Sequence, residues 1–171
     1  MSIINLVGVC RLGGFIGSNP EVLGEFPANK LTPEQKNEFI NKSMPEGVLP
    51  GTITVAKFLT NYIVSYAFRL KSEVEGERDD LATVTVLVPE RRVNIEHFKQ
   101  LFKLIMESFK DEIEKVSPTV LSHMIERIYN GVNQNEKIKM DALVIDVPEI
   151  IKKQKLRLIK TDLKELKGAF F

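Results

Sequence analysis

Residues suited to metal binding or nucleophilic catalysis are few in this sequence and widely separated. The 171-residue chain contains two histidines, His97 and His123, and one cysteine, Cys10. The histidines fall in different predicted helices with no cysteine nearby, and the carboxylates around them lack metal-ligand spacing. Cys10 lies in the apolar run Ile3–Leu12, where a small buried residue is expected rather than a reactive thiol. The sequence therefore predicts no metal and no cofactor, and it favours no catalytic triad.

A glycine-rich stretch, Gly13–Gly17, is the one motif with a composition suited to phosphate binding. Its sequence, GGFIG, lacks the GxxxxGK[ST] pattern of a phosphate-binding loop and does not open a helix. It leads into Ser-Asn-Pro, which is typical of a turn between strands. We therefore interpret it as a hairpin turn.

The composition indicates an ordinary globular protein. Hydrophobic residues make up 43% and charged residues 27% of the chain, and the net charge is +1. This charge gives the whole molecule no general attraction to nucleic acid. Because no segment approaches the roughly 18 apolar residues of a membrane span, we expect a cytoplasmic protein.

The elements that must position any site begin with strands. Five segments have strand composition, with alternating or continuous apolar residues between turn signals. They are Ile3–Leu12, Glu21–Phe26, Thr52–Phe58, Tyr62–Lys71 and Leu81–Val88. The last of them is almost entirely apolar or β-branched, which predicts a central strand buried on both faces.

A short helix is predicted within Leu31–Gly47, between the second and third strands. Thr32 is a favourable N-cap, Pro33 suits the first helical position, and Gln35 completes a Thr-x-x-Gln capping box. A Met-Pro-Glu-Gly sequence ends the helix. Since its apolar stripe is narrow, we expect it to cover one face of a sheet.

Two longer helices follow the last strand. From Asn94 to Val116 apolar residues recur at steps of three and four, which predicts a long amphipathic helix. A second helix is predicted to begin at Pro118 and to end at Asn130 and Gly131. The order β-β-α-β-β-β-α-α predicts an α/β domain over residues 1–135, with a five-stranded, mainly antiparallel sheet between one short helix and a helical pair.

Residues 136–171 are predicted to form a C-terminal extension. Asp141–Pro148 has strand composition, and Glu149–Lys167 has the pattern of a basic amphipathic helix. Residues 150–171 contain seven Lys and Arg against two acids, a local charge of +5. This segment either docks its leucines on protein or lies on an anionic membrane surface. The residues predicted to contact a partner are Lys153, Leu156, Arg157, Ile159, Lys160 and Leu163.

The element order and several local sequences resemble longin domains, most of all those of the DENN, folliculin and nitrogen-permease-regulator-like proteins. The similar segments, spanning about residues 3–132, include FPANKLTPEQKNEFINKSMPEG, ITVAKF, YIVSYAFRLK and ERDDLATVTVLV. The first hairpin turn, Gly13–Pro20, is longer than the Gly-Pro turn usual in those relatives. The resemblance implies a non-catalytic module in trafficking or GTPase regulation. Its partner is a small GTPase or a longin or roadblock-type protein, homodimerisation included.

The same resemblance singles out Arg78. In the GTPase-activating relatives, a loop arginine just before the last sheet strand acts as an arginine finger, and Arg78 holds that position here. A guanidinium there spreads positive charge over the developing γ-phosphoryl oxygens. The alternative is a surface arginine paired with Glu77 or Asp79, and these acidic neighbours oppose approach to a phosphate. An independent small enzyme is the remaining alternative.

Overall fold

The computed structural model describes residues 3–13, 18–71, 76, 78–91, 93–113, 118–140 and 143–153. Its elements follow the chain in the order β1 (Leu6–Leu12), β2 (Glu21–Phe26), α1 (Pro33–Ser43), β3 (Ile53–Phe58), β4 (Asn61–Leu70), β5 (Asp80–Pro89), α2 (Ile95–Ile113), α3 (Pro118–Gln134), β6 (Ile138–Met140) and β7 (Leu143–Ile145). Residues 147–153 are also helical. None of the helices in these ranges is long and apolar enough to cross a membrane.

The first five strands form one sheet in the order β2-β1-β5-β4-β3, and every neighbouring pair is antiparallel. The predicted five-stranded antiparallel sheet is therefore confirmed. Four of the predicted strands agree with the structure to within one residue at each end, whereas β1 begins at Leu6 rather than Ile3. The prediction that the fifth strand is central and buried on both faces is also confirmed, because seven consecutive residues of β5 are buried.

The main core lies between one face of the sheet and the two long helices. α3 packs against β1 and β2, while α2 packs against β4 and β3. Alternate residues of β4 enter this core, as the sequence pattern predicts. They are Val64, Tyr66, Phe68 and Leu70.

The opposite face of the sheet is covered by α1. The predicted capping box is present, since the Gln35 backbone N–H donates to Thr32 Oγ1 at 3.2 Å and the Thr32 N–H donates to Gln35 Oε1 at 3.0 Å. Phe39 lies directly on Gly8, where an added Cβ would be 3.0 Å from the ring. A side chain at position 8 would therefore require the Phe39 ring to shift by a few tenths of an ångström.

The predicted end of α3 is wrong. The helix continues through Asn130 and Gly131 to Gln134, and the chain leaves it at Asn135, whose φ is +55°. Gly131 has a different role from a stop signal. A Cβ at this position would be 2.5 Å from Cγ1 of Ile138, so the glycine makes room for β6 against the helix.

The described part of the C-terminal extension packs on the domain. β6 and β7 pair as antiparallel strands, and of the two only β7 was predicted. The helix that was predicted to begin at residue 149 begins at residue 147. A three-residue strand such as β6 has too short a pattern to be detected from sequence. Four apolar side chains join the same core as α2 and α3. They are Ile138, Ile145, Val147 and Ile151.

Candidate functional site

Arg78 lies two residues before β5 and two residues after Gly76, whose φ is +87°. Its side chain is exposed, and within the described ranges it forms no ion pair. It lines an open cleft of about 340 Å³. The other lining residues are Pro50, Arg69, Asp79, Asp80 and Leu81. The structure therefore places Arg78 on the surface at the start of the central strand.

The charges around this cleft are nearly balanced. Two arginines, Arg69 and Arg78, and two aspartates, Asp79 and Asp80, line it. Arg11 lies 3.8 Å from Asp80, measured from Nε to Oδ2. Arg11 also pairs with Glu21. The positive charge of Arg11 partly neutralises the Asp80 carboxylate. The acidic residues beside Arg78 therefore repel an incoming anion less than the sequence alone indicates.

The cleft has little chemistry of its own. The described residues that line it include no serine, threonine, cysteine, histidine or lysine. An exposed guanidinium can donate two parallel hydrogen bonds to an oxyanion carried by another molecule. This arrangement can therefore contribute one cation to a site completed by a partner.

Cys10 is buried, and its burial raises the pKa of the thiol from 9.0 to about 12. The nearby hydroxyls of Ser43 and Thr83 lower the pKa and offset only part of this effect. A thiol that stays protonated at neutral pH is a poor nucleophile and a poor metal ligand. Cys10 is therefore a residue of the hydrophobic core.

The two histidines lie on different helices, His97 on α2 and His123 on α3. His97 is half-buried and His123 is exposed. Within the part of the chain that the structure describes, no group of three or more His, Cys, Asp or Glu residues could hold a metal ion.

Among the described strands, β3 pairs with β4 alone, and its outer edge carries exposed apolar side chains. Among the described residues, five large apolar side chains are exposed, and three of them lie on or beside β3. Leu49 precedes the strand and is 67% exposed, Val55 lies within it at 38%, and Leu59 follows it at 63%. Leu59 has φ +54°, a conformation that is rare for leucine and is often found at functional sites.

This edge was not predicted from the sequence. A β-branched strand with a leucine at each flank was visible, but sequence alone does not show which strand lies at the edge of a sheet. That property depends on the pairing of β3 with β4 alone, at one end of the strand order.

Of the residues predicted to contact a partner, the structure describes one. Lys153 is exposed, and its Nζ lies 3.3 Å from Glu149 Oε1 on the same helical turn. The others lie outside the described residues. They are Leu156, Arg157, Ile159, Lys160 and Leu163.

A second open cleft, of about 460 Å³, lies between α3 and β6. Three basic side chains and one acidic side chain line it. The guanidinium of Arg127 is already hydrogen-bonded, since Nη1 donates to the Lys139 carbonyl at 2.8 Å. Lys137 is in turn 3.7 Å from Asp146. The cleft is therefore a junction between helix and hairpin rather than a free anion site.

No protein-family model matches this chain, and a search of curated proteins finds no match.

Proposed function

We propose that this protein is a longin-like interaction module that binds a small GTPase or a partner longin or roadblock-type subunit. The observation that carries the proposal is the free edge of β3 with its exposed aliphatic side chains, in a sheet covered by one helix on one face and two on the other. The element order that suggested the longin resemblance supports it. The buried thiol and the separated histidines favour binding over independent catalysis.

Backbone geometry explains how this edge would bind. In an antiparallel pair, alternate residues direct their N–H and C=O groups away from the neighbouring strand, so an added strand could bond to those of β3. One of the β3 carbonyls, that of Lys57, already accepts a hydrogen bond from Lys42. Val55 and the flanking leucines would then pack on the partner. Lys57, whose charge is paired with Glu90 at 3.2 Å, limits indiscriminate pairing, as edge lysines commonly do.

The test is affinity capture from the native cell with matched variants. We expect a small GTPase or a longin or roadblock-type protein to be recovered with the native chain and lost with Val55→Lys. Leu104→Lys is the control, since Leu104 is an aliphatic residue of similar exposure (42%) on α2. Recovery that is equal with both variants, or recovery of neither protein class with the native chain, would contradict the proposal.

A second function, GTPase activation through Arg78, is favoured by one observation. The Arg78 guanidinium is exposed at the rim of an open cleft at the start of the rigid central strand. A partner bound at the start of β5 could receive it without any ion pair to a described residue being broken. In this proposal Arg78 supplies positive charge to the transition state of a reaction whose other groups belong to the GTPase.

A further inference from the structure

The helix α1 crosses most of the width of the sheet. Lys36, in its first half, places Nζ 3.1 Å from Glu25 Oε1 on the β2 edge. Phe39 lies on Gly8 of β1, and Lys42 donates to the Lys57 carbonyl on the β3 edge. An 11-residue helix of about 16 Å spans most of a five-stranded sheet. The helix is therefore attached at both edges by exposed lysines.

Few apolar side chains attach α1 to the sheet. Within α1 only Phe39 and Ser43 are buried, and Met44 at the C-cap adds one more apolar contact. Among the described side chains, α2 and α3 contribute eleven buried apolar residues to the opposite core. They are Phe98, Leu101, Phe102, Ile105, Met106 and Phe109 of α2, and Leu121, Met124, Ile125, Ile128 and Val132 of α3. Hydrophobic attachment is therefore much weaker for α1 than for the other two helices.

The surface under α1 is also partly polar. Ser65 Oγ and Thr85 Oγ1 are buried and lie 2.8 Å apart on neighbouring strands. They lie on the same face as Ile63 and Leu87, which belong to the core cluster beneath α1. Buried hydroxyls bonded to each other leave less apolar surface for a helix to cover.

Unpartnered polar atoms concentrate at this interface. Four buried side-chain atoms lack a hydrogen-bond partner among the described residues, and the fourth, His97 Nδ1, lies on α2. The other three are Glu25 Oε2 of β2, Thr54 Oγ1 of β3 and Ser43 Oγ of α1. Ser43 is the exception among them, because its hydroxyl lies against the Cys10 thiol and lowers the pKa of that thiol. Thr54 shares a strand face with Phe58, which packs in the cluster beneath α1. Each buried group without a partner loses its hydration in the closed state and regains it on opening.

We propose that α1 is a lid that opens as a unit while the sheet, α2 and α3 stay folded, and that this opening exposes Cys10. The energetic basis is a cover with two fully buried apolar side chains, Phe39 and Met44, and a partly buried Ile40. Beneath it Glu25 Oε2 and Thr54 Oγ1 lack a partner among the described residues, and the sheet is held independently by the larger core. Cys10 belongs to the cluster beneath α1 and lies beside Ser43. Opening also uncovers Leu6, Ile63 and Leu87 on the same face.

Thiol labelling of the full chain with Ellman's reagent tests the proposal, because Cys10 is the only cysteine. The labelling rate is measured over a series of urea concentrations below the unfolding transition, and global unfolding is followed by circular dichroism. We expect labelling to be faster than global unfolding permits and to depend weakly on urea. Labelling that follows the global unfolding constant with the same urea dependence would overturn the proposal.

Two matched substitutions separate lid opening from general instability. Phe39→Leu loosens the α1 anchor and should speed labelling about tenfold in the absence of urea. Phe109→Leu removes the same atoms from the opposite core and should lower the global unfolding midpoint while leaving labelling without urea unchanged. Equal acceleration by both substitutions would mean that Cys10 is reached by global unfolding only, and the lid would then be rejected.

Discussion

At the scale of the residue, Arg78 has the sharpest predicted effect. If this chain activates a GTPase, Arg78→Ala should slow stimulated hydrolysis by about two or more orders of magnitude and leave complex formation nearly intact. The reason is that a finger arginine interacts mainly with the transition state, so its loss affects the rate more than binding. Single-turnover hydrolysis with saturating chain measures the rate, and a binding titration measures complex formation.

Two variants control this experiment. Arg78→Lys should recover little of the rate, because an ammonium group does not reproduce the planar guanidinium fork. Arg91→Ala should have no effect, since Arg91 follows the opposite end of β5, about 30 Å away along the strand. Full activity of Arg78→Ala with the cognate GTPase would exclude the finger and leave the interaction module standing.

Cys10 provides a pH-dependent prediction at the same scale. Burial raises the thiol pKa from 9.0 to about 12, so above pH 9 the unfolded chain loses this proton while the folded chain retains it. The unfolded state then binds fewer protons, and the stability contributed at neutral pH falls as pH rises from 9 towards 12. The free energy of unfolding should decrease by up to about 1.4 kcal/mol per pH unit in this range from Cys10 alone.

Urea unfolding of the native chain and of Cys10→Ala at pH 8, 9 and 10 isolates the effect. Lysines and tyrosines titrate in both proteins, so the difference between the two curves reports Cys10. We expect the native chain to lose more stability with pH than Cys10→Ala does. Parallel curves would show that the thiol is not protonated preferentially in the fold.

At the scale of the element, the contact between α3 and β6 depends on Gly131. Alanine usually stabilises a helix interior by about 1 kcal/mol relative to glycine. Here the new Cβ would be 2.5 Å from Cγ1 of the buried Ile138, so we expect Gly131→Ala to destabilise the protein by about 1–3 kcal/mol. The measurement is the free energy of unfolding in urea.

A double-mutant cycle tests the cause. Ile138→Ala removes the atoms that the new Cβ would meet, so Gly131→Ala should cost much less in the Ile138→Ala background. A helix that is stabilised by Gly131→Ala in the native background would instead show that β6 moves away freely from α3.

At the scale of the whole molecule, positive charge is concentrated in residues 150–171, here called the basic tail. The question is whether this tail contacts protein or a membrane surface. We expect the tail to dock on protein, so the full chain and a chain ending at Lys153 should sediment equally and weakly with anionic vesicles. Binding that is lost on truncation and that weakens with salt would instead indicate a membrane contact. The truncation must not begin at residue 150, because Ile151 is buried in the main core and its loss would destabilise the domain.

The elements of the fold were largely predictable because their signals are local. The capping box of α1 involves residues three apart, and the alternation along β4 and the helical period of α2 are read within single segments. The end of α3 was predicted wrongly for the converse reason. An Asn-Gly pair is a typical signal for the end of a helix. Gly131 instead lies within α3, where its lack of a side chain allows Ile138 of β6 to pack closely.

The candidate site was only partly predictable. Arg78 was identified by its position before the last strand of the sheet, and the structure places it at a surface cleft. The neutralisation of Asp80 by Arg11 was not visible, because the two residues are 69 positions apart and meet only when β1 pairs with β5. The exposed edge at Val55 was missed for the same reason.

By itself, the sequence determined the types and approximate bounds of the main strands and helices, since hydrophobic period, caps and turn residues act within a few positions. Only the tertiary structure decided the strand order, the edge position of β3, and the concentration of unpartnered polar atoms beneath α1. Each of these depends on hydrogen bonds and packing between segments far apart in the chain, and such pairings leave no periodic signal within either segment.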